Sequence, residues 1–246
     1  MNIVILGATK GIGRALSRLC AAQGDRLFLL GRDTEDLKRS AADLNVRSDR
    51  LSVAGFAHCD LETPDTFALA LAQAQQNLGH LDAVVVTAAL FGTQDELEEN
   101  TALLQRVLSV NFAHTVLFCE AARKLLLAQG KGVLCVFGSV AGDRARKKVV
   151  LYGATKAGLS SYLEGLDHKY HHAGLRVVCV RPGFVKTQMT QGLPPPPFSG
   201  QPDDVARDVR EALLCPRPIV YTPPVWRLVL SVIQHLPRAV MRRIDF

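Results

Sequence analysis

Seven short apolar runs punctuate the chain, and between them apolar residues return every three or four positions. The first run, Ile3-Val4-Ile5-Leu6, shows no polar alternation, the mark of a strand covered on both faces of a parallel sheet. Similar runs lie near 26–30, 51–57, 83–87, 132–138 and 175–180, with a shorter one near 218–221 and helical spacing in the intervals. Strand and helix therefore alternate. The expected architecture is one doubly wound α/β domain over residues 1–246, a parallel sheet of about seven strands with helices on both faces. No shift of composition marks an internal boundary.

The turn after the first run carries chemistry. Gly7-Ala8-Thr9-Lys10-Gly11-Ile12-Gly13 precedes a helical pattern from Arg14 to Gln23, so the segment reads strand, glycine-rich turn, helix. Gly7 permits the tight turn, while Gly11 and Gly13 lack the Cβ atoms that would keep a pyrophosphate from the backbone amides and the positive end of the helix dipole. The spacing Gly-x-x-x-Gly-x-Gly differs from the commoner Gly-x-Gly-x-x-Gly fingerprint.

Tyr152 and Lys156 stand four residues apart in a helical stretch and so share one face. A tyrosine titrates near pH ~10 in water and is a poor acid or base at neutral pH unless a cation stabilises its phenolate. Lys156 is placed to be that cation. Ser139 closes the fifth apolar run, and a hydroxyl at a strand end can meet a tyrosine on the following helix so that the two hold one carbonyl oxygen.

Taken in order with Asp60, with Asn111 in Val110-Asn111-Phe112, and with Pro182-Gly183-Phe184-Val185-Lys186-Thr187, these landmarks resemble the short-chain dehydrogenase/reductase family over nearly the whole chain. The resemblance implies a Rossmann-like fold and a nicotinamide-dependent oxidoreductase. It gives Tyr152 the proton exchanged with the carbinol oxygen and Lys156 the tasks of lowering that pKa and holding the nicotinamide ribose. Ser139 would orient the carbonyl, and Asn111 would hold a water in the proton relay. Cofactor contacts are implied for Gly7, Thr9, Lys10, Gly11, Ile12, Gly13, Asp60, Leu61, Tyr152, Lys156, Pro182, Gly183, Val185 and Thr187, with Asp60 accepting from the adenine amine and the loop from Pro182 to Thr187 at the carboxamide. Read by themselves, Asp60 equally suits a cap for a helix starting near Thr63-Pro64, and Asn111 a polar residue inside a helix. Two departures stand out. The family has Thr where this chain has Leu6, and Asn-Asn-Ala-Gly where it has Val86-Thr87-Ala88-Ala89, which puts the hydrogen bonds that brace the cofactor cleft in question.

Charge speaks to the cofactor. The second run ends in Gly31-Arg32 with no carboxylate for ribose hydroxyls, and Asp33 reads instead as the cap of an acidic first turn, Thr34-Glu35-Asp36. The Arg32 guanidinium suits a 2′-phosphate, and Lys10 would face the same phosphate. NADP(H) is therefore expected over NAD(H).

Composition excludes more than it adds. A net charge of +6, without a reader helix or interleaved aromatics, does not point to nucleic acid. Cys20, Cys59, Cys119, Cys135, Cys179 and Cys215 show no Cys-x-x-Cys spacing and are expected as reduced packing residues. His58 and the pair His171-His172 lack the company of a metal site, so no metal is expected. The first run begins at Asn2, leaving no room for a signal peptide, and no unbroken apolar run reaches the roughly 18 residues of a spanning helix. Residence in the cytosol is the expectation.

The substrate side is less constrained. Residues 187–202, with prolines at 194–197, are expected as a stiffened lid. Gly142-Asp143-Arg144-Ala145-Arg146-Lys147-Lys148 reads either as a solvated loop or as an anion subsite. Within a C-terminal extension at 223–246, Trp226, Leu228, Val229, Leu230, Val232, Ile233 and Leu236 form a wide apolar arc from Val225 to Arg238. That arc, with Arg242-Arg243, suits an anionic membrane surface, a subunit contact or a cover over the cleft. The tail and the motifs around Ser139 and Tyr152 look like the subgroup that includes a bacterial reductase of a lipid-phosphate-linked 2-keto-pentose. That implies a keto-sugar or lipid-linked ketone. The family is often dimeric or tetrameric through the helices bearing Asn111 and Tyr152. Two functions follow: a reductase of a small carbonyl compound, or the reverse reaction, and a non-catalytic NADP(H)-binding sensor. Retention of Asn111, Ser139, Tyr152 and Lys156 favours the first.

Overall fold

The computed structural model describes residues 1–48 and 51–244. The apolar runs form seven strands: β1 (Asn2–Leu6), β2 (Arg26–Gly31), β3 (Val53–His58), β4 (Ala83–Val86), β5 (Gly132–Phe137), β6 (Leu175–Pro182) and β7 (Ile219–Thr222). All pair in parallel in one sheet, in the order β3-β2-β1-β4-β5-β6-β7. Parallel neighbours need crossovers, and helices supply them: α1 (Gly11–Ala22), α2 (Thr34–Arg47), α3 (Thr66–Leu78), α4 (Gln94–Glu99), α5 (Thr101–Leu108), α6 (Thr115–Ala128), α7 (Val150–Tyr170) and α8 (Pro202–Leu214), followed by α9 (Val225–Ile233) and α10 (Arg238–Met241).

Alternation along each strand feeds two cores. Val4, Leu6, Phe28 and Leu30 pack with Phe67 of α3, Phe118 of α6 and Leu163 of α7. Ile3, Ile5, Leu27 and Leu29 point the other way, onto Leu16 of α1, Leu37 of α2 and Val209 of α8. This is why the runs carry no polar alternation: both faces of the single-domain sheet are covered. Five cysteines are buried in these layers, where burial pushes the Cys20 and Cys59 thiols up to about 12, and Cys215 is exposed.

Three features position the site. The strand order reverses between β1 and β4, so the loops leaving their C-terminal ends diverge and open a crevice. Helices α5 and α6 run on through a π-helical turn at Ser109–His114. The resulting stretch Thr101–Ala128 is, by length and hydropathy, sufficient to cross a membrane, contrary to the expectation from unbroken runs. Its stripe of Val107, Val110, Phe118, Ala122 and Leu126 nonetheless lies in the core. Finally, the C-terminal arc is not one helix as far as Arg238; α9 ends at Ile233, and α10 begins after Pro237.

Candidate active site

The end of the crevice at the glycine turn is made mostly of backbone. Gly7 sits at φ +91°, where a side chain would be strained, and its amide donates to the Leu30 carbonyl at 2.9 Å. Thr87, at the end of β4, donates its hydroxyl to the carbonyls of Leu6 (3.0 Å) and Gly7 (3.1 Å). The brace that Leu6 cannot supply therefore comes from the neighbouring strand. A Cβ on Gly13 would lie 2.0 Å from the Gly7 oxygen and 2.7 Å from Thr87 Oγ1, so this glycine also lets α1 pack onto its own turn. Helix α1 has no side-chain cap and no acid in its first turn. Its leading amides stay open to an anion.

Beside the end of β2, Asp33 caps α2, accepting from the Asp36 amide at 2.9 Å. Arg32 is exposed at the end of β2 and makes no hydrogen bond or ion pair among the described residues. Lys10 also lines the crevice, and its Nζ lies 3.4 Å from Asp36 Oδ2, in a pair where the lysine is 60% exposed. Arg39, with Lys10, holds the Asp36 carboxyl below its ordinary range. Asp60 accepts from the Glu62 amide at 3.0 Å in a tight turn, and α3 begins only at Thr66. It caps no helix at Thr63-Pro64.

At the far wall of the crevice, Ser139 follows β5 and accepts from the Ala141 amide at 3.1 Å. The short turn Val140–Gly142 presses onto α7. A Cβ on Gly142 would come within 2.6 Å of the Lys156 carbonyl carbon, and one on Gly153 within 2.8 Å of the Ala141 oxygen. Small residues at both points let Ser139 close onto the helix face that bears Tyr152 and Lys156. Lys156 is 2% exposed, donates to the Phe137 carbonyl at 2.9 Å and lies 5.8 Å from the Tyr152 ring centre. Burial pushes the Tyr152 phenol up to about 12 against a hydrogen bond with Ser139, and burial brings the Lys156 ammonium down to about 8.

With that constellation in place, the short chain dehydrogenase family matches residues 1–196. The chain belongs to this family. It is 31% identical to an uncharacterized oxidoreductase of Mycobacterium tuberculosis over 242 residues, 98% of this chain and 96% of the relative. It is 30% identical to a 3-oxoacyl-[acyl-carrier-protein] reductase of Bos taurus over 189 residues, 77% of each chain. Levodione reductase shares the fold, with a TM-score of 0.78 and 23% identity over 89% of this chain and 94% of that one. The protein is thus an oxidoreductase of a family that uses a nicotinamide cofactor, and the open amides of α1 and the Gly7 turn fit a dinucleotide diphosphate.

The dehydrogenase cleft is one continuous space of about 1400 Å³. Gly7, Thr9, Lys10, Gly11, Ile12, Gly13, Arg32, Asp60, Leu61, Ser139, Tyr152, Lys156, Pro182, Gly183, Val185 and Thr187 all line it. Asn111 does not. Fully buried in the π-helical turn, it accepts from the Leu90 amide (2.8 Å) and donates to the Leu90 carbonyl (2.7 Å), holding the segment that brings Leu90 and Phe91 to the cleft. Both ends of its amide are thus committed.

The remaining wall matches one of the three readings of the C-terminal arc, a cover over the cleft, for part of its residues. Trp226 of α9 lies over Gly183, where a Cβ would come within 2.0 Å of its Nε1. Trp226, Val229 and Ile233 line the cleft, whereas Leu228 (71% exposed) and Val232 (63%) face outward. The apolar arc is therefore divided. So are the charges of the loop after Ser139. Arg144 donates to the Leu236 carbonyl at 2.6 Å, Asp143 pairs with Arg181 at 2.9 Å and accepts from Tyr221, and Arg146 and Lys148 line the cleft.

Proposed function

We propose that the protein is an NADP(H)-dependent reductase that converts a ketone or aldehyde to an alcohol, or runs the reverse. The observation that carries this reading is the convergence of Ser139, Tyr152 and Lys156 in one cleft with the open amides of α1. A phenol held at about 12 is protonated at neutral pH and still far more acidic than an alkoxide's conjugate acid. Tyr152 therefore gives its proton to the carbonyl oxygen as charge develops there, while the Ser139 hydroxyl holds the same oxygen. Lys156 in its ammonium form stabilises the phenolate left behind. Bound nicotinamide supplies or takes the hydride. Asn111, through Leu90, acts as a positioning residue. A non-catalytic sensor would have no use for this arrangement.

Arg32, free at the end of β2, supports NADP(H), with Asp33 already committed to α2. Asp60 and Leu61 would meet the adenine, and Pro182, Gly183, Val185 and Thr187 the carboxamide. Arg146 and Lys148 beside the cleft suit an anionic group, as on a keto-sugar phosphate or a lipid-linked ketone. Exposed Leu108, Phe112, Leu117 and Val150 on α5, the π-helical turn, α6 and α7 support a homodimer or homotetramer through those helices. A cytoplasmic enzyme resting on the cytosolic face of a membrane through Leu228, Val232 and the basic end of the tail completes the reading.

Titration with NADPH and NADH, followed by cofactor oxidation over a panel of ketones and aldehydes, tests it. Tighter NADPH binding and carbonyl-dependent oxidation are expected. Tight binding with no turnover in either direction would turn the reading toward the sensor, and preference for NADH would refute the cofactor assignment. Salt-sensitive sedimentation with anionic vesicles tests the membrane contact.

A further inference from the structure

Each side chain that α9 contributes to the cleft is apolar: Trp226, Val229 and Ile233, at helical spacing on one face. From the lid, Leu193, Pro197 and Phe198 join them. Phe198 stands edge-on to Trp226, with ring centres 6.3 Å apart, and holds φ +61°, a left-handed conformation that a large side chain rarely adopts. The Trp226 indole N–H is buried with no hydrogen-bond partner among the described residues and packs against Gly183. Desolvating a polar ligand group against these six residues would go uncompensated.

We infer that this compartment holds a hydrocarbon chain attached to the reacting carbonyl: the substrate is a long-chain ketone or aldehyde, and Trp226, Val229 and Ile233 set its length preference. The inference rests on the reductase reading and deepens it. Its occupant is the substrate's own chain because the compartment is continuous with the space at Tyr152 and Ser139. From Trp226 to Ile233 the helix offers an apolar track about 10 Å long. The inward half of the arc thus serves the ligand, and only Leu228 and Val232 remain outward.

The test uses the full chain with NADP(H) and a homologous series, methyl ketones from butanone through decanone and the matching secondary alcohols. Trp226 is the sole tryptophan, so its emission reports alcohol binding without turnover. Alcohol affinity, and kcat/KM for the ketones, should rise roughly fourfold per methylene until the track is filled. Ile233→Glu, at a partly exposed position, should lower the decanol-to-butanol affinity ratio by roughly tenfold or more. Val229→Phe, which keeps the surface apolar, should shift the optimum to shorter chains. An affinity independent of chain length overturns the inference, as does a series whose slope neither variant alters. If no ketone is reduced, the reductase reading fails by itself and the alcohol series still decides the compartment.

Discussion

Around Gly7–Gly13 the cleft wall is backbone: helix amides, the carbonyls of Leu6 and Gly7 and a Thr87 hydroxyl that ties them together. Around Trp226 it is side chains, contributed by the proline-rich segment 187–202 and a C-terminal helix. A wall of backbone recognises a ligand that does not change, because peptide groups cannot be exchanged by mutation and a Cβ at Gly13 has nowhere to go. A wall of side chains can be refitted one residue at a time, so specificity among substrates belongs at that end.

Between the two ends stands Tyr152, and Tyr152→Phe is expected to give the largest effect. Turnover should fall by roughly 10²–10⁴-fold with cofactor affinity retained, as measured by steady-state kinetics beside NADPH titration. Near-normal kcat would remove the proton donor from the scheme. Arg32→Ala comes next: it should weaken NADPH by about 1.5–3 kcal/mol and leave NADH almost unchanged, because Arg32 lines the cleft at the end of β2 with no hydrogen bond or ion pair among the described residues. Equal losses for both cofactors would show that backbone alone sets the affinity there.

Stability separates the ends more finely. Gly13→Ala should destabilise by about 1–3 kcal/mol in urea unfolding, since the new methyl meets the Gly7 carbonyl. Leu228→Ala, on the exposed side of α9, should stay within about 0.5 kcal/mol of wild type. Reversal of that order would overturn the contrast. The smallest effect is in pH. Below about 8 Lys156 carries its proton and above it the ammonium is lost, while the Tyr152 phenol stays protonated up to about 12. Reduction should therefore slow by less than about tenfold per pH unit as pH rises through 8. A flat kcat/KM profile there would mean that the lysine charge does not assist.

What could be read from the chain follows the same division. Tyr152, Lys156 and Ser139 were legible because proton transfer demands those residue types at spacings set by a single helix and a strand end. The glycine turn was legible because its constraints are local. Thr87 was not: the carbonyls it braces lie some eighty residues earlier in the chain and meet it only through the pairing of β1 with β4. The ion pair of Lys10 with Asp36 was not legible either, because nothing in linear order reveals that Asp36, in the first turn of α2, comes within 3.4 Å. For α9 the apolar arc was plain, but which part would be covered depended on β6 delivering Gly183 beneath Trp226. Amphipathicity tells that a face must be buried and is silent on what buries it.

The π-helical turn at Ser109–His114 makes residue count itself a structural quantity. Val107 before it and Leu126 after it both face the core, yet an unbroken α-helix would leave them about 100° apart around the axis. The wider turn absorbs that angle, and it is where Asn111 reaches Leu90. Deleting one residue from this turn would let the helix regularise with Val107 and Leu126 five full turns apart and still on one face, but it would remove the wide turn that brings Asn111 to Leu90. Length variation among natural relatives should accordingly spare 107–126 and collect in the lid and the C-terminal tail, where one residue more or fewer moves a side chain without turning a helix.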